Sequence, residues 1–220
     1  MGIEMSLGVT AGAKIGAESA GKLKSNVNKN AQTASVWEKR FDEEKERYVL
    51  SGANDKGQVL IRYYVDGDVP VYKNEYQYHE NGTRKQNTQT CFDDGKPCMY
   101  AIDEYDDKER LISTKADWGA DGKMDSVTMY KHDENGRVSV GHIDYGLDGD
   151  IDIVEMYKYD ENGRKSATHT DYDCDGKIDN IEEYKYDADG DMVAIFYDND
   201  ADGNPDEINV RLFDERTGGL

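Results

Sequence analysis

The amino-acid sequence predicts an all-β protein built from tandem 27-residue β-hairpin repeats. We expect an antiparallel meander or an elongated twisted repeat sheet, with calcium loops at one set of turns. Three observations predict it: an internal period of 27 residues, two turn signals in every period, and alternating side chains between the turns. The length of 220 residues allows one ordinary domain or one short repeat array.

The composition indicates that a large hydrophobic core does not hold this array together. Hydrophobic residues make up 36% and charged residues 34% of the chain, so the apolar area available for burial is small compared with the entropy of ordering. The net charge of −20 argues against a nucleic-acid partner, because phosphate binding needs a basic face. No apolar run is long enough for a transmembrane segment.

The chain begins with a segment of different character. Residues 1–34 are rich in Gly, Ala, Ser, Lys and Asn and lack aromatic residues, which predicts a flexible leader. It is a poor secretion signal because Lys14 and Glu18 break its apolar stretch. Residues 35–75 are interpreted as degenerate first β-repeats and 76–220 as the regular repeats. Ser35-x-x-Glu38 also fits a helix cap, an alternative to a first strand.

The period appears in two phases of the sequence. In one phase an aromatic residue or a histidine precedes a turn, at Tyr78, Tyr105, His132, Tyr159, Tyr186 and Phe213. In the other phase Asp-Gly pairs recur, beginning at Asp94, Asp121, Asp148, Asp175 and Asp202. Each 27-residue repeat therefore contains two turns and two short stretches between them.

The stretches between turns have the alternation of strands. In the stretches 127–132, 154–159 and 208–213, alternate residues point to opposite sides of an extended chain. One side carries Val, Ile or Met, and the other side carries Tyr, His or Phe together with one arginine. The Asp-Glu-Asn-Gly turns place glycine where a hairpin needs a positive φ, which favours antiparallel pairing of consecutive strands.

The Asp-Gly turns carry the candidate metal ligands. The segment 171–182 has oxygen ligands at positions 1, 3, 5, 9 and 12 and a glycine at position 6, which is typical of a calcium loop, where position 7 supplies a backbone carbonyl. Its candidate ligands are Asp171, Asp173, Asp175, Lys177, Asp179 and Glu182. Clustered carboxylates repel one another without a cation, and hard oxygen ligands favour Ca²⁺ over zinc.

Other copies of the loop are less complete. The second keeps Asp198, Asp200, Asp202, Asn204 and Asp206, with Asn209 at position 12. Two further copies have glycine at position 3, and their candidates are Asp144, Asp148, Asp150, Asp152 and Glu155 in one and Asp117, Asp121, Lys123 and Asp125 in the other. The competing interpretation, that these are only acidic hairpin turns, is disfavoured by the regular period and the recurring Asp at position 9. The turns at 133–136 and 160–163 are expected to be plain hairpin turns.

A fifth copy has lost the site, with Thr90, Phe92 and Cys98 where aspartates belong. Cys91 and Cys98 both fall in this turn, so a disulfide between them is a further hypothesis. Cys174 would then remain a free thiol.

The motifs resemble two families. The Tyr-x-Tyr-Asp-x-x-Gly-Arg segment at 157–164, and less fully 76–82 and 184–190, resembles the YD repeats of Rhs-type and teneurin-type proteins. The Asp-x-Asp-x-Asp-Gly-x-x-Asp turns at 171–179 and 198–206 are similar to the calcium loops of FG-GAP and thrombospondin type-3 repeats. The resemblance implies an extracellular, β-rich, noncatalytic scaffold. An EF-hand is disfavoured because no exiting helix fits before the turn at 187–190.

No arrangement of nucleophile and base stands out around the four histidines, so the chain is predicted not to be an enzyme. We expect a noncatalytic calcium-binding module, bacterial and either secreted or at the cell surface, that acts in adhesion, as a spacer or in interactions. Its partners would be calcium and a glycan or another surface protein. Two alternatives remain: a carbohydrate- or cell-wall-binding module using Tyr-lined strands, and a secreted effector or toxin-associated component. Against the carbohydrate alternative, the tyrosines can instead pack against each other as a core.

Overall fold

The computed structural model describes residues 34–43, 47–67 and 69–210, and within these ranges it contains only β-strands, turns and loops. The all-β prediction is confirmed. The fourteen strands are β1 (Val36–Asp42), β2 (Arg47–Ala53), β3 (Val59–Asp66), β4 (Val69–Tyr78), β5 (Arg84–Asp93), β6 (Lys96–Tyr105), β7 (Leu111–Asp117), β8 (Ser126–His132), β9 (Val138–Tyr145), β10 (Ile153–Tyr159), β11 (Lys165–Asp171), β12 (Asn180–Tyr186), β13 (Met192–Asp198) and β14 (Glu207–Val210). The predicted leader, apart from Ala34, and the repeat position Phe213 lie outside the described residues. No membrane-spanning helix is found in the described part of the chain.

The chain divides into two compact units between Met124 and Asp125. The first contains β1 to β7 and the second β8 to β14. Inside each unit every strand pairs antiparallel with the next strand in sequence, so both units are hairpin meanders. The alternative helix at Ser35–Glu38 is wrong, because Val36–Asp42 pairs along its whole length with β2.

The first unit has a small apolar core. Ile61, Tyr63 and Val65 on β3 are buried, and Trp37, Tyr48 and Leu50 pack against them. Glycine at position 52 makes this packing possible, because a Cβ there would lie 2.9 Å from the Ala34 Cβ and 3.0 Å from the Trp37 ring. Burial of these rings and aliphatic chains is the main apolar contribution to the stability of this unit.

The second unit buries almost no large apolar side chain. Among its described residues, the hydrophobic side chains that are buried are Ala167 and Ala194. The buried polar residues of this unit are more numerous and are Ser126, Asp144, Thr168, Thr170, Asp171, Asn180 and Asp198. Hydrogen bonds and electrostatics must therefore contribute more here than in the first unit.

The plain hairpin turns are closed by an aspartate at their first position. In the turn at 160–163, Asp160 Oδ1 accepts hydrogen bonds from the Asn162 amide at 2.9 Å and the Arg164 amide at 2.8 Å. Asp160 Oδ2 accepts from Arg164 Nε at 2.8 Å. Gly163 has a φ of 80°, which is the left-handed conformation the sequence predicts. Asp133 and Arg137 repeat this arrangement.

Each of these turns is also tied to the following repeat. The Arg164 guanidinium lies 4.6 Å from the ring centroid of Tyr186, and the Arg137 guanidinium lies 4.3 Å from that of Tyr159. The Tyr186 hydroxyl donates to the Lys165 carbonyl at 2.8 Å, and the Tyr159 hydroxyl to the Val138 carbonyl at 2.7 Å. The recurring Tyr, Asp, Gly and Arg thus form one structural unit that couples neighbouring hairpins.

The coupling predicts a measurable cost for removing one tyrosine hydroxyl. We expect Tyr186→Phe and Tyr159→Phe each to lower the free energy of unfolding by about 1 kcal/mol, because each leaves a carbonyl without its donor. Tyr172→Phe, at an exposed loop ring, is the matched control and should leave the urea midpoint unchanged. Equal midpoints for all three variants would contradict the proposed coupling.

The capped turns also predict that the free energy of unfolding decreases at acidic pH. Asp106 accepts from the amides of Arg110 and Lys108 and from the Arg110 side chain, and these bonds lower its pKa to about 2. Because the folded pKa lies below the unfolded value, this stabilisation is present near neutral pH and is lost as pH falls from about 4 towards 2. We expect Asp106→Asn to flatten that part of a pH series of urea midpoints. Asn54→Ala, which removes a cap that does not titrate, should lower the midpoints without changing the slope.

Candidate metal centre

The loop after β11 folds into a closed turn around a buried aspartate. Asp171 is 4% exposed, and its Oδ2 accepts the Gly176 amide at 2.9 Å. Positive φ angles of 56° at Cys174 and 86° at Gly176 bend the chain back to make this bond. The loop is closed by Asp179, whose amide donates to the Thr170 carbonyl at 2.9 Å and whose Oδ2 accepts the Tyr172 amide at 2.7 Å.

This folding brings three predicted ligands together. One carboxylate oxygen from each of Asp171, Asp173 and Asp179 lies within 4.8 Å of the other two, so the group can hold a metal ion. Two ligands on opposite sides of a Ca²⁺ ion are up to about 5 Å apart. Asp171 Oδ1 is buried without a hydrogen-bond partner. A buried charged oxygen in that state is costly, and a cation would remove the cost.

A second group of the same kind follows β13. Asp198, Asp200 and Asp206 each contribute one oxygen within the same 4.8 Å separation. Asp198 is buried and accepts the amides of Asp202 at 3.1 Å and Gly203 at 2.8 Å. Asp206 Oδ2 accepts the Asn199 amide at 2.8 Å, as its counterpart does in the preceding loop.

Loop positions 5, 7 and 12 lie outside these two groups. Asp175 pairs with the Lys177 side chain, and Asp202 Oδ1 accepts the Asn204 amide at 2.7 Å. Position 12 lies on a strand, where Glu182 Oε2 accepts the Tyr184 hydroxyl and where Asn209 pairs with Ile195. The structure therefore collects positions 1, 3 and 9 of the predicted ligand set.

The loop at 144–152 has two of these three positions. Asp144 is 5% exposed, its Oδ2 accepts the Gly149 amide at 3.1 Å, and its Oδ1 is buried without a partner. Asp152 Oδ2 accepts the Tyr145 amide at 2.6 Å. Position 3 is glycine, as the sequence shows, so no third carboxylate joins them. The remaining candidates make other bonds, with Asp148 accepting the Asp150 amide and Glu155 accepting the Tyr157 hydroxyl.

The loop beginning at Asp117 is satisfied by its own backbone. Asp117 is 1% exposed, and its two oxygens accept the amides of Asp121 at 3.2 Å and Gly122 at 2.8 Å. Asp121 Oδ1 accepts the Lys123 amide at 2.9 Å. The boundary between the two units falls inside this loop, so Asp125 belongs to the second unit.

The fifth copy, where the sequence predicts that the site is lost, is a tight hairpin. Asp94 and Gly95 have φ angles of 45° and 72° and connect β5 to β6 in a two-residue turn. Cys91 is partly buried, Cys98 and Cys174 are exposed, and the structure joins none of the three in a disulfide. Burial, with a smaller contribution from Cys98, raises the pKa of the Cys91 thiol. The disulfide remains a prediction.

Loop position 2 was missed by the sequence analysis. At Tyr145 and Tyr172 the amide of this position donates to the position-9 carboxylate. The side chain is an exposed aromatic ring in three loops, at Trp118, Tyr145 and Tyr172. The 27-residue recurrence of these rings beside the aspartates was the available signal.

Comparison with known proteins gives structural similarity alone. No protein-family model and no curated protein matches the chain. The crystal structure of TcdB2-TccC3-Cdc42 is similar at 16% identity and a TM-score of 0.35, covering 74% of this chain and 10% of that chain. TcdB2-TccC3 without its hypervariable C-terminal region is similar at 15% identity, with the same TM-score and coverage. Scores of this size carry no conclusion about fold or function, and the chain spans about a tenth of each matched chain.

The two acidic groups differ at position 7, and this difference predicts different cation affinities. The hydrogen bond with Asp175 and the fields of Asp175, Asp173 and Asp179 raise the pKa of Lys177, so its ammonium already neutralises part of that loop. Asn204 carries no charge at the same position. We expect Lys177→Asn to tighten Ca²⁺ binding at its loop by about fivefold and Asn204→Lys to weaken binding at the other by a similar factor.

The amide resonances of Gly176 and Gly203 follow the two loops separately during a Ca²⁺ titration. The reciprocal pair is its own control, because each substitution should leave the other loop unchanged. Unchanged affinity in both loops would contradict a role for position 7.

Proposed function

We propose that this chain is a noncatalytic, calcium-stabilised β-repeat module, exposed at a cell surface or secreted, that serves as an adhesive or spacer segment. The observation that carries the proposal is the buried, unpaired Oδ1 of Asp171 within a group of three converging carboxylates. A divalent ion there would supply a positive partner for this oxygen, which accepts no hydrogen bond in the described structure.

The composition of the second unit supports a stabilising role for the ion. Two alanines are the buried hydrophobic residues among its described residues, while seven of its aspartates are buried or belong to the two acidic groups. A cation bound by the folded loops and not by the unfolded chain adds its binding free energy to the stability of the fold.

The chemistry of the ligands favours calcium. The donors are carboxylate oxygens, and such hard ligands suit Ca²⁺ or Mg²⁺ better than zinc. The loops are irregular and present few charged ligands each, whereas Mg²⁺ demands octahedral order and keeps several waters. Loops of this kind bind Ca²⁺ with Kd on the order of 10⁻⁵ to 10⁻³ M, which suits the calcium level outside cells.

The histidines support a noncatalytic role. His79 Nε2 lies 3.0 Å from the Tyr105 carbonyl and so ties one turn to the next repeat. Burial lowers the pKa of His142 and of His169, which keeps both rings neutral on their strands at physiological pH. In these surroundings the histidine rings contribute to the structure, and a spacer or adhesive module requires no catalytic role from them.

A thermal melt followed by far-UV circular dichroism tests the proposal. We expect millimolar Ca²⁺ to raise the melting temperature by several degrees relative to EGTA, and Mg²⁺ to raise it less. Asp171→Asn should remove a large part of the calcium-dependent shift, because it replaces the buried ligand by a neutral amide.

Asp160→Asn is the matched control for that variant. It weakens a capped turn that already contains its own cation, Arg164, so it should lower stability equally with and without calcium. A melt that Ca²⁺ leaves unchanged while the β signal is full would overturn the proposal.

A further inference from the structure

The exposed aromatic rings of the second unit are placed beside the acidic loops. Tyr145 is 42% and Tyr172 is 54% exposed, whereas the strand tyrosines Tyr157, Tyr159, Tyr184 and Tyr186 are half-buried. Both exposed rings occupy loop position 2, one repeat apart. Aromatic rings held at a surface in this way are typical of recognition sites.

The backbone at each ring is held by the position-9 carboxylate of its own loop. The Tyr172 amide donates to Asp179 Oδ2 at 2.7 Å, and Asp179 is one of the three converging aspartates. The Tyr145 amide makes the equivalent bond to Asp152 at 2.6 Å. Each ring therefore belongs to the same closed loop as the carboxylate that accepts its amide.

The repeat geometry sets the distance between the two rings. Tyr145 ends β9 and Tyr172 follows β11, with β10 between them. Two strand spacings amount to roughly 9.6 Å. This distance is comparable to the length of a disaccharide in an extended polysaccharide chain, so alternate sugar rings of such a chain can face the two tyrosines.

The coordination chemistry leaves room for a ligand from outside the chain. Ca²⁺ takes six to eight oxygens, and the group at Asp171, Asp173 and Asp179 supplies three carboxylates. Water would fill the remaining positions on a bound ion, and a pair of neighbouring sugar hydroxyls could replace two of these waters. Hydroxyls are neutral, so the net charge of −20 does not repel them, whereas it does repel a polyanionic glycan.

We propose that the loop edge formed by Tyr145, Tyr172 and the Asp171 group binds a neutral polysaccharide, with vicinal hydroxyls on the loop Ca²⁺ and sugar rings stacked on the tyrosines. The inference rests on the proposed calcium function. It places the glycan at the loops, whereas the sequence-based alternative used the rings on the strands.

The test is binding of the full chain to mannan, cellulose, chitin and heparin, each in millimolar Ca²⁺ and in EGTA. We expect retention on at least one of the three neutral polymers in Ca²⁺ and loss of retention in EGTA. Tyr145→Ala and Tyr172→Ala should each weaken binding about fivefold or more while leaving the calcium-dependent melting shift intact. Tyr72→Ala, at an exposed ring on β4, is the control and should bind like the wild type.

The outcomes separate this inference from the function on which it rests. A normal calcium-dependent melting shift without retention on any neutral polymer overturns the glycan site and leaves the stabilising role standing. Retention that persists in EGTA, that survives both tyrosine variants, or that occurs only on heparin also overturns it. A melt unaffected by Ca²⁺ overturns both proposals.

Discussion

The fold depends on aspartate carboxylates that accept backbone amides at the ends of strands. In a meander with little apolar burial, each turn exposes amides that need an acceptor, and an aspartate at the first turn position provides it. Asp160 does this in a plain hairpin turn and Asp171 does it in an acidic loop. The repeated carboxylate thus fixes turn geometry, and the strands pair in the register that these turns set.

The two kinds of turn differ in how they neutralise that carboxylate. In the plain turns at Asp106, Asp133 and Asp160 an arginine four residues later pairs with it, so the positive charge is part of the motif. In the acidic loops the residue four positions after the first aspartate is another aspartate. The turn at 187–190 is intermediate, because Asp187 caps the amides but Asp191 stands where the arginine would be. Under the proposed function, an external cation takes the place of this arginine at the second kind of turn.

Much of this was predictable because turn chemistry is local. The glycines at positive φ and the buried first aspartate of each loop depend on residues only a few positions apart. The 27-residue period shows where these turns recur. The role of position 12 was not predictable in this way. Glu182 lies on a strand, and the hydroxyl of Tyr184, which shares its face of the strand, pairs with its carboxylate. A calcium-loop pattern taken from helical proteins assumes that the chain after position 9 turns back to the ion. Here the Asp179 amide pairs with Thr170 and starts a strand instead.

The distribution of core and acidic groups between the units gives these turns their importance. The first unit packs Trp37 and Leu50 around a buried Ile61, and its fifth-copy turn has become a two-residue hairpin at Asp94 and Gly95. In the described residues, both three-carboxylate groups occur in the second unit, where the buried apolar residues are alanines. Apolar burial and ion binding are alternative ways to offset the entropy of ordering a strand pair. Under the proposed calcium function, a repeat that keeps its loop aspartates can dispense with large core side chains, and its strand faces remain available for tyrosine, glutamate and threonine.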